Sequence, residues 1–120
     1  MALLIRPLGD FNKKKSYLLQ QKLKQMLANN SESCCVVDLA SINSINNYGL
    51  VTLVTLHRIA KKNDCKLYLI NLNDSVKYYL ELTGLDTKFN IKQSVKNVQY
   101  KPGSKLNFCS HNVNYGKHVI

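Results

Sequence analysis

The chain has few acidic side chains, no tryptophan, and only two prolines and five glycines among its 120 residues. Seven Asp and Glu residues stand against seventeen Lys and Arg residues, which gives a formal net charge of +10. The glycines are dispersed and form no GxGxxG or Walker pattern, so neither of these phosphate-binding loops is encoded. No apolar run approaches the roughly 20 residues that a membrane-spanning helix needs. These absences favour an ordinary globular domain without a membrane span.

Catalytic and metal-binding patterns are also missing from the sequence. The four cysteines show no CxxC or Cys/His ligand spacing, and no Ser/His/Asp or Cys/His arrangement suggests a nucleophile with its base. Cys109 with His111 and His118 is a weak candidate for a metal cluster, and reduced cysteines acting as small core residues are favoured instead. We therefore expect no enzyme activity, no cofactor and no metal site.

The first residues predict where the chain resides. Met1 to Leu8 holds a very short apolar stretch interrupted by Arg6 and Pro7, which does not have the form of a signal peptide. Together with the missing membrane span and the expected reduced cysteines, this predicts a cytoplasmic location.

Strand-like and helix-like segments alternate along the chain. The hydrophobic spacing predicts strands over 3–9, 34–39, 65–71 and 88–91, and helices over 16–30, 48–62 and 76–82. Ser16 and either Asp74 or Ser75 are predicted as N-caps of the first and third helices, and Gly84 as the stop of the third. This order predicts an α/β fold with a mixed, mostly parallel sheet, right-handed crossovers and helices packed on the sheet. We assign 1–96 to this single domain and 97–120 to a basic C-terminal tail of uncertain structure.

One stretch narrows this general expectation to a family. Asp38-Leu39 follows an apolar strand and precedes a short polar loop, and Gly49-Leu50 opens the next helix. This pattern resembles the signature of the STAS domain, the sulfate-transporter and anti-sigma factor antagonist domain. Further similar segments follow in the right order at 69–72, 80–86 and 89–91, and Gly9 to Asn12 resembles the family's early turn. The resemblance covers about residues 3 to 95 and implies the STAS fold.

The sequence departs from the family at the residue that serves as its switch. In anti-sigma factor antagonists the motif Asp-Ser-Ser-Gly carries a serine that a partner kinase phosphorylates. Here Asn46 stands in the place of the aspartate, Asn47 in that of the first serine, and Tyr48 in that of the phosphoacceptor. A tyrosine hydroxyl lies further out on a rigid ring, so the resemblance implies that the serine switch is absent or has moved. Asn46 or Asn47 could still cap the following helix.

The resemblance places the partner-binding surface on this loop and helix. The predicted contacts are Ser44, Asn46, Asn47, Tyr48, Val51, Thr52, Thr55 and Arg58. Tyrosine is among the residues favoured at binding hot spots. Tyr48 could equally be a large residue that only covers the start of the helix, and both interpretations stay open here.

Three functions compete at this stage. The first is a non-catalytic regulatory module that binds a protein, either an anti-sigma factor or kinase-like partner or another complex subunit. The second is an accessory subunit or adaptor of a larger complex or of a transporter. The third is a basic scaffold that binds RNA or DNA, which would show steep salt dependence. The lysines are scattered along the sequence, so the protein-binding module is preferred, and the oligomeric state stays open.

Overall fold

The computed structural model describes residues 3–29 and 33–92, together with the backbone of two short strands further on. The principal elements, in chain order, are β1 (Leu3–Ile5), α1 (Lys13–Asn29), β2 (Cys34–Asp38), α2 (Asn47–Lys62), β3 (Lys66–Ile70), α3 (Asp74–Leu82) and β4 (Asn90–Lys92). A 3₁₀ turn at Leu85–Thr87 lies between α3 and β4. The predicted alternation of strands and helices is therefore confirmed.

The four strands form one parallel sheet in the order β1-β2-β3-β4. Each helix joins one strand to its immediate neighbour, which is the connection that parallel strands require. Leu4, Val36, Tyr68 and Asn90 lie side by side across the sheet in successive registers. The α/β fold class is thus confirmed, and the described four-stranded sheet is parallel throughout.

The helices pack on one face of this sheet. Side chains alternate between the two faces of a strand, and the main core cluster takes one alternate set: Leu3, Ile5, Cys35, Val37, Leu67 and Leu69. All three helices contribute to the same cluster, for example through Leu23, Leu53 and Leu80, each of which is fully buried. Burying such a side chain contributes about 1.5–3 kcal/mol. The three helices and this face of the sheet therefore share one core.

Two predicted helix caps are wrong by a few residues. Helix α1 begins at Lys13, and the Asn12 side-chain oxygen accepts a hydrogen bond from the Lys15 amide at 2.8 Å. Ser16, predicted as the N-cap, lies inside the helix and is buried. Helix α3 is capped by Asn73, one residue before the predicted alternatives. In both places an asparagine takes the cap, four residues before Ser16 in α1 and directly before Asp74 in α3, and asparagine is as good an N-cap as serine or aspartate.

The cysteine expectation holds for two of the three cysteines described. Cys35 and Cys65 are not disulfide-bonded, and both are buried. Burial, reinforced by the neighbouring Cys65, raises the pKa of the Cys35 thiol well above its ordinary value, which makes it an inert core residue. Cys34 does not follow the expectation, because it is disulfide-bonded. Cys109, His111 and His118 lie outside the described residues.

The C-terminal segment contributes a second, two-stranded sheet. Strands β5 (Lys105–Leu106) and β6 (Val113–Asn114) pair in antiparallel fashion. The sequence showed no clear periodicity here, so these strands were not predicted. No helix in the described part of the chain has the length and apolar content to cross a membrane.

Candidate functional site

The loop that leads into α2 starts at a buried carboxylate, Asp38. Its Oδ1 accepts hydrogen bonds from the Ala40 amide at 2.9 Å and from Asn71 Nδ2 at 3.0 Å, and its Oδ2 lies 3.3 Å from Arg6 Nε. Asp38 is only 1% exposed, and a buried carboxylate is stable only when it is paired and hydrogen-bonded in this way. Asn71 has a φ of 59°, a left-handed conformation that asparagine tolerates better than most residues. Asp38 therefore ties the ends of β1, β2 and β3 together beneath the loop.

Asn46 fixes the other end of the loop. Its side-chain oxygen accepts a hydrogen bond from the Gly49 amide at 2.9 Å, which caps α2, and its Nδ2 donates to the Phe11 carbonyl at 2.9 Å. One amide side chain thus satisfies a free N–H of the helix start and also joins α2 to the segment before α1. Of the two predicted caps, Asn46 and Asn47, the structure selects Asn46, and both polar groups of its side chain bond within the protein.

Helix α3 holds the same loop from the opposite side. Asn73 caps α3 through its side-chain oxygen, and its Nδ2 donates to the carbonyl oxygens of Ile42 at 3.1 Å and Asn43 at 2.9 Å. The Tyr79 hydroxyl donates to the Asn47 side-chain oxygen at 3.2 Å. The loop is therefore preorganised, and preorganisation reduces the entropy that binding costs.

Gly49 allows the loop to lie close against the helix. A Cβ at this position would overlap Ile45 Cγ1 and would lie 2.8 Å from Phe11 Cδ2. Ile45 and Phe11 are both buried, so neither can move aside freely. Position 49 therefore requires glycine, because a Cβ there would collide with two buried side chains.

Two large apolar side chains near the start of α2, Tyr48 and Val51, are exposed to solvent. Tyr48 is 51% exposed and Val51 is 58% exposed, although large apolar side chains in helices usually face the core. Ser44 and Asn47 are exposed beside them in sequence. The described surface therefore offers an aromatic and an aliphatic group near the start of α2, and the role of Tyr48 in partner binding stays a prediction.

The remaining predicted contacts differ in their access to solvent. Arg58 is exposed and Thr55 is half-buried. Thr52 is fully buried, and its hydroxyl lies within hydrogen-bonding distance of the Ser16 hydroxyl and the Tyr48 carbonyl oxygen. Thr52 therefore joins α2 to α1 and cannot contact a partner as predicted, because its face of the helix packs against α1.

His57 lies further along α2, away from the loop. It is half-buried, and its ring meets Phe89 edge-on with centroids 5.5 Å apart. Burial, together with the positive charge of Lys61, lowers its pKa from the ordinary value. The neutral imidazole that results packs as an aromatic side chain.

The charge around this surface is one-sided. No Asp or Glu occurs between Asp38 and Asp64, whereas Arg58, Lys61 and Lys62 lie on α2. Asp38 is buried and paired, so it adds no exposed negative charge to the loop. The positive charges of α2 lie toward its C-terminal end, about 15 Å or more along the helix axis from Tyr48.

Sequence reasoning missed the residues that support the loop. Arg6, Ser16, Asn73 and Tyr79 all contact it or its helix from other elements. Asn73 had a local signal, since it stands three residues before Val76 at a helix start. The others had none, because each lies about 30 or more residues away from its partner in sequence.

Replacing Asn46 by alanine tests the anchoring of the loop. We expect a loss of about 1–2 kcal/mol in the free energy of unfolding, since the cap is lost and the Phe11 carbonyl loses a partner. Urea denaturation followed by circular dichroism measures this loss. Asn47→Ala is the matched control, because Asn47 makes one exposed hydrogen bond and should cost less than half as much. Equal losses in the two variants would contradict the anchoring role of Asn46.

Comparison with known proteins agrees with this geometry. The family model described as "STAS domain" matches residues 2–98. Among solved structures, a putative anti-sigma factor antagonist from Thermotoga maritima is similar with a TM-score of 0.65 and 20% identity, over 75% of this chain and 77% of that one. The anti-sigma factor antagonist SpoIIAA in its unphosphorylated form gives a TM-score of 0.66 at 10% identity, over 78% and 82% of the two chains.

A third similar structure carries a different description. The sulfate transporter family protein from Wolinella succinogenes gives a TM-score of 0.59 at 16% identity, over 74% of this chain and 71% of that one. At such identities these structures show a shared fold. The family match spans most of the chain and includes the loop built on Asp38, Asn46 and Gly49. The chain therefore belongs to the STAS domain family.

Proposed function

We propose that the chain is a non-catalytic regulatory module that binds a protein partner through the loop before α2 and the exposed face of α2. The observation that carries this proposal is the exposure of Tyr48 and Val51 at the start of a helix whose loop is held from both sides. A rigid aromatic anchor on a preorganised base is the arrangement expected at the centre of an interface. The predicted contacts that are exposed or half-buried are Ser44, Asn46, Asn47, Tyr48, Val51, Thr55 and Arg58.

The proposal includes the absence of serine phosphorylation at the position that Tyr48 occupies. Phosphate at a helix start adds nearly two negative charges. Tyr48 replaces the serine by an exposed ring, so binding here would depend on contact with the ring and not on a removable charge. The similarity to anti-sigma factor antagonists supports an anti-sigma factor or kinase-like partner, without control by serine phosphorylation. We also propose a cytoplasmic location.

A second function is favoured by the similarity to a sulfate transporter family protein. In that case the same surface would bind a subunit of a membrane transporter or of another complex. The two functions share the fold and the surface and differ only in the identity of the protein that is bound.

The deciding experiment is an affinity capture from the native cell, with nuclease present and absent. We expect one specific protein to be retained by the wild-type chain and reduced at least tenfold by Tyr48→Glu/Thr55→Glu, because two carboxylates would replace an apolar contact. Mass spectrometry then identifies that protein and distinguishes a soluble regulator from a transporter subunit. The same spectra test the chain itself for phosphate at Ser44 and Tyr48.

The matched control adds the same two negative charges elsewhere. Leu82→Glu/Gln25→Glu changes exposed positions on α3 and α1 and should leave capture unchanged. Equal loss in both double variants would show a general charge effect and contradict the assigned surface. Captured material that disappears with nuclease and ignores both double variants would support the nucleic-acid scaffold instead.

A further inference from the structure

Helix α1 presents an exposed apolar pair surrounded by positive charge. Tyr17 and Leu18 are 60% and 54% exposed, although large apolar side chains of a helix usually face the core. The charged residues of this helix are all lysines. Lys14 and Lys22 are exposed and stand one turn before and one turn after Leu18. These four residues form the α1 face, which has an apolar centre and a positive rim.

Helix α3 presents the same arrangement with the opposite charge. Tyr78 and Leu82 lie one turn apart and are 64% and 68% exposed. Asp74 stands one turn before Tyr78, Glu81 directly precedes Leu82, and both carboxylates are exposed. Lys77, the single cation of this helix, is half-buried. Asp74, Tyr78, Glu81 and Leu82 form the α3 face, which has an apolar centre and a negative rim.

The carboxylates of the α3 face are available to a charge from outside the domain. Within residues 3–29 and 33–92, neither Asp74 nor Glu81 forms an ion pair. Helices α1 and α2 contain no Asp or Glu. Among the three described helices, α3 is therefore the one that offers carboxylates to the lysines of the α1 face.

The two faces cannot meet within one copy of the chain. Helix α1 joins β1 to β2 and α3 joins β3 to β4, so the two helices lie toward opposite edges of the sheet. Helix α2 stands between them, since its Thr52 contacts Ser16 of α1 and its Asn47 contacts Tyr79 of α3. Contact between an α1 face and an α3 face therefore requires two molecules.

The two faces have the composition of the two sides of an interface. Protein interfaces combine an apolar core, enriched in tyrosine, with a polar rim, and opposite charges on the two rims fix the choice of partner. The net charge of +10 makes copies of the chain repel each other. At about 0.15 M salt this repulsion is screened beyond about 8 Å, whereas charges in direct contact are screened much less.

We infer that the chain binds a second copy of itself, with the α1 face of one copy against the α3 face of the other. The apolar pairs lie in the centre of this contact, and the lysines of one rim oppose the carboxylates of the other. Unlike faces are joined, so each copy keeps one face of each kind for further copies, in a ring or a chain of molecules. The contact uses none of the α2 partner surface, so changes confined to α1 and α3 should alter self-association and leave capture through α2 unchanged.

Sedimentation velocity of the nuclease-treated full chain at about 0.15 M salt tests self-association. The average mass should rise at least about 1.5-fold above the monomer mass of 13.7 kDa between about 5 and 500 μM protein, where contacts with a Kd of about 1 μM to 1 mM become populated. This measurement needs no variant. A chain that stays monomeric over the whole range overturns the proposal, and the two faces would then belong to other partners.

Charge reversal assigns the contact to the two faces. Lys14→Glu/Lys22→Glu and Asp74→Lys/Glu81→Lys should each stay monomeric, because like charges would then face each other. An equimolar mixture of these two variants should associate again, since the first keeps its α3 face and the second keeps its α1 face. Circular dichroism verifies that each variant is folded.

The matched control is Lys62→Glu/Lys66→Glu. Both positions are exposed and lie outside the two faces, and the net charge changes by the same amount as in the α1 variant. This control should associate like the wild type, and an equal loss in it would overturn the proposal in favour of a general charge effect. Failure of the mixture to associate, when each face variant alone is monomeric, would overturn the pairing of α1 with α3. Association that is present only without nuclease would overturn it as well, because nucleic acid would then bridge the copies.

Discussion

Replacing Asp38 by alanine is expected to lower the free energy of unfolding by about 3–5 kcal/mol, the usual cost of breaking a buried ion pair from one side. Arg6 would lose its described carboxylate partner, and the Ala40 amide and Asn71 side chain would lose their common acceptor. The free energy of unfolding of a small domain is only about 5–15 kcal/mol, so the expected loss is a large fraction of it. Urea denaturation of the purified chain, followed by circular dichroism, gives the value.

Two further variants show which part of the Asp38 network matters. Asp38→Asn keeps an oxygen that can accept from Ala40 and Asn71 but loses the charge that faces Arg6. Its free energy of unfolding is therefore expected to lie between those of the wild type and Asp38→Ala. Asp10→Ala removes an exposed aspartate, and its effect should stay within about 0.5 kcal/mol. If Asp38→Ala costs no more than Asp10→Ala, Asp38 does not hold the strand ends together.

Replacing Gly49 by alanine should destabilise the domain by about 1–3 kcal/mol, the usual cost of overpacking. The sign is the informative part, because alanine is favoured over glycine by about 1 kcal/mol within helices. Overlap of the new Cβ with Ile45 and its approach to Phe11 outweigh that gain. The free energy of unfolding of Gly49→Ala, again from urea denaturation, should therefore be lower than that of the wild type.

The contact partner supplies the internal test for Gly49. In Ile45→Ala/Gly49→Ala the overlap with Ile45 is gone, so the double variant should lose less stability than the sum of its single variants. Val51→Ala, at an exposed position of the same helix, controls for helix propensity and should be neutral or slightly stabilising. Strict additivity of Ile45→Ala and Gly49→Ala would contradict steric overlap as the cause.

The local sequence was sufficient to predict the helices and strands that depend on the spacing of nearby residues. Apolar spacing predicted a helix over 48–62 and a strand over 34–39, and the structure has α2 at Asn47–Lys62 and β2 at Cys34–Asp38. The positive φ of Gly84 matches its predicted role as a helix stop. The observed helix start differs from the predicted one where two residues that can form an N-cap stand close together, as with Asn12 and Ser16. Both residues satisfy the same local rule, and only packing selects one of them.

The candidate site was predicted less completely than the fold. The sequence narrowed the cap of α2 to Asn46 or Asn47, since both stand before the predicted helix. The prediction that Thr52 contacts a partner was wrong. A threonine at the edge of an apolar stripe has no local feature that distinguishes a solvent-exposed position from one packed on α1. The exposure of Tyr48 and Val51 was likewise undecided in sequence, since an apolar residue at a helix start can face either way.

By itself, the sequence determined the α/β class, the order of strands and helices and the family, because each depends on periodicity or on residues adjacent in the chain. The tertiary structure alone decided that Asp38 joins three strand ends, that asparagines from two elements clamp the loop, and that Thr52 is interior. It also decided that both faces of the sheet are buried. These facts depend on contacts between residues about 30 or more positions apart, and no local pattern encodes which distant side chain completes a hydrogen bond or fills a cavity.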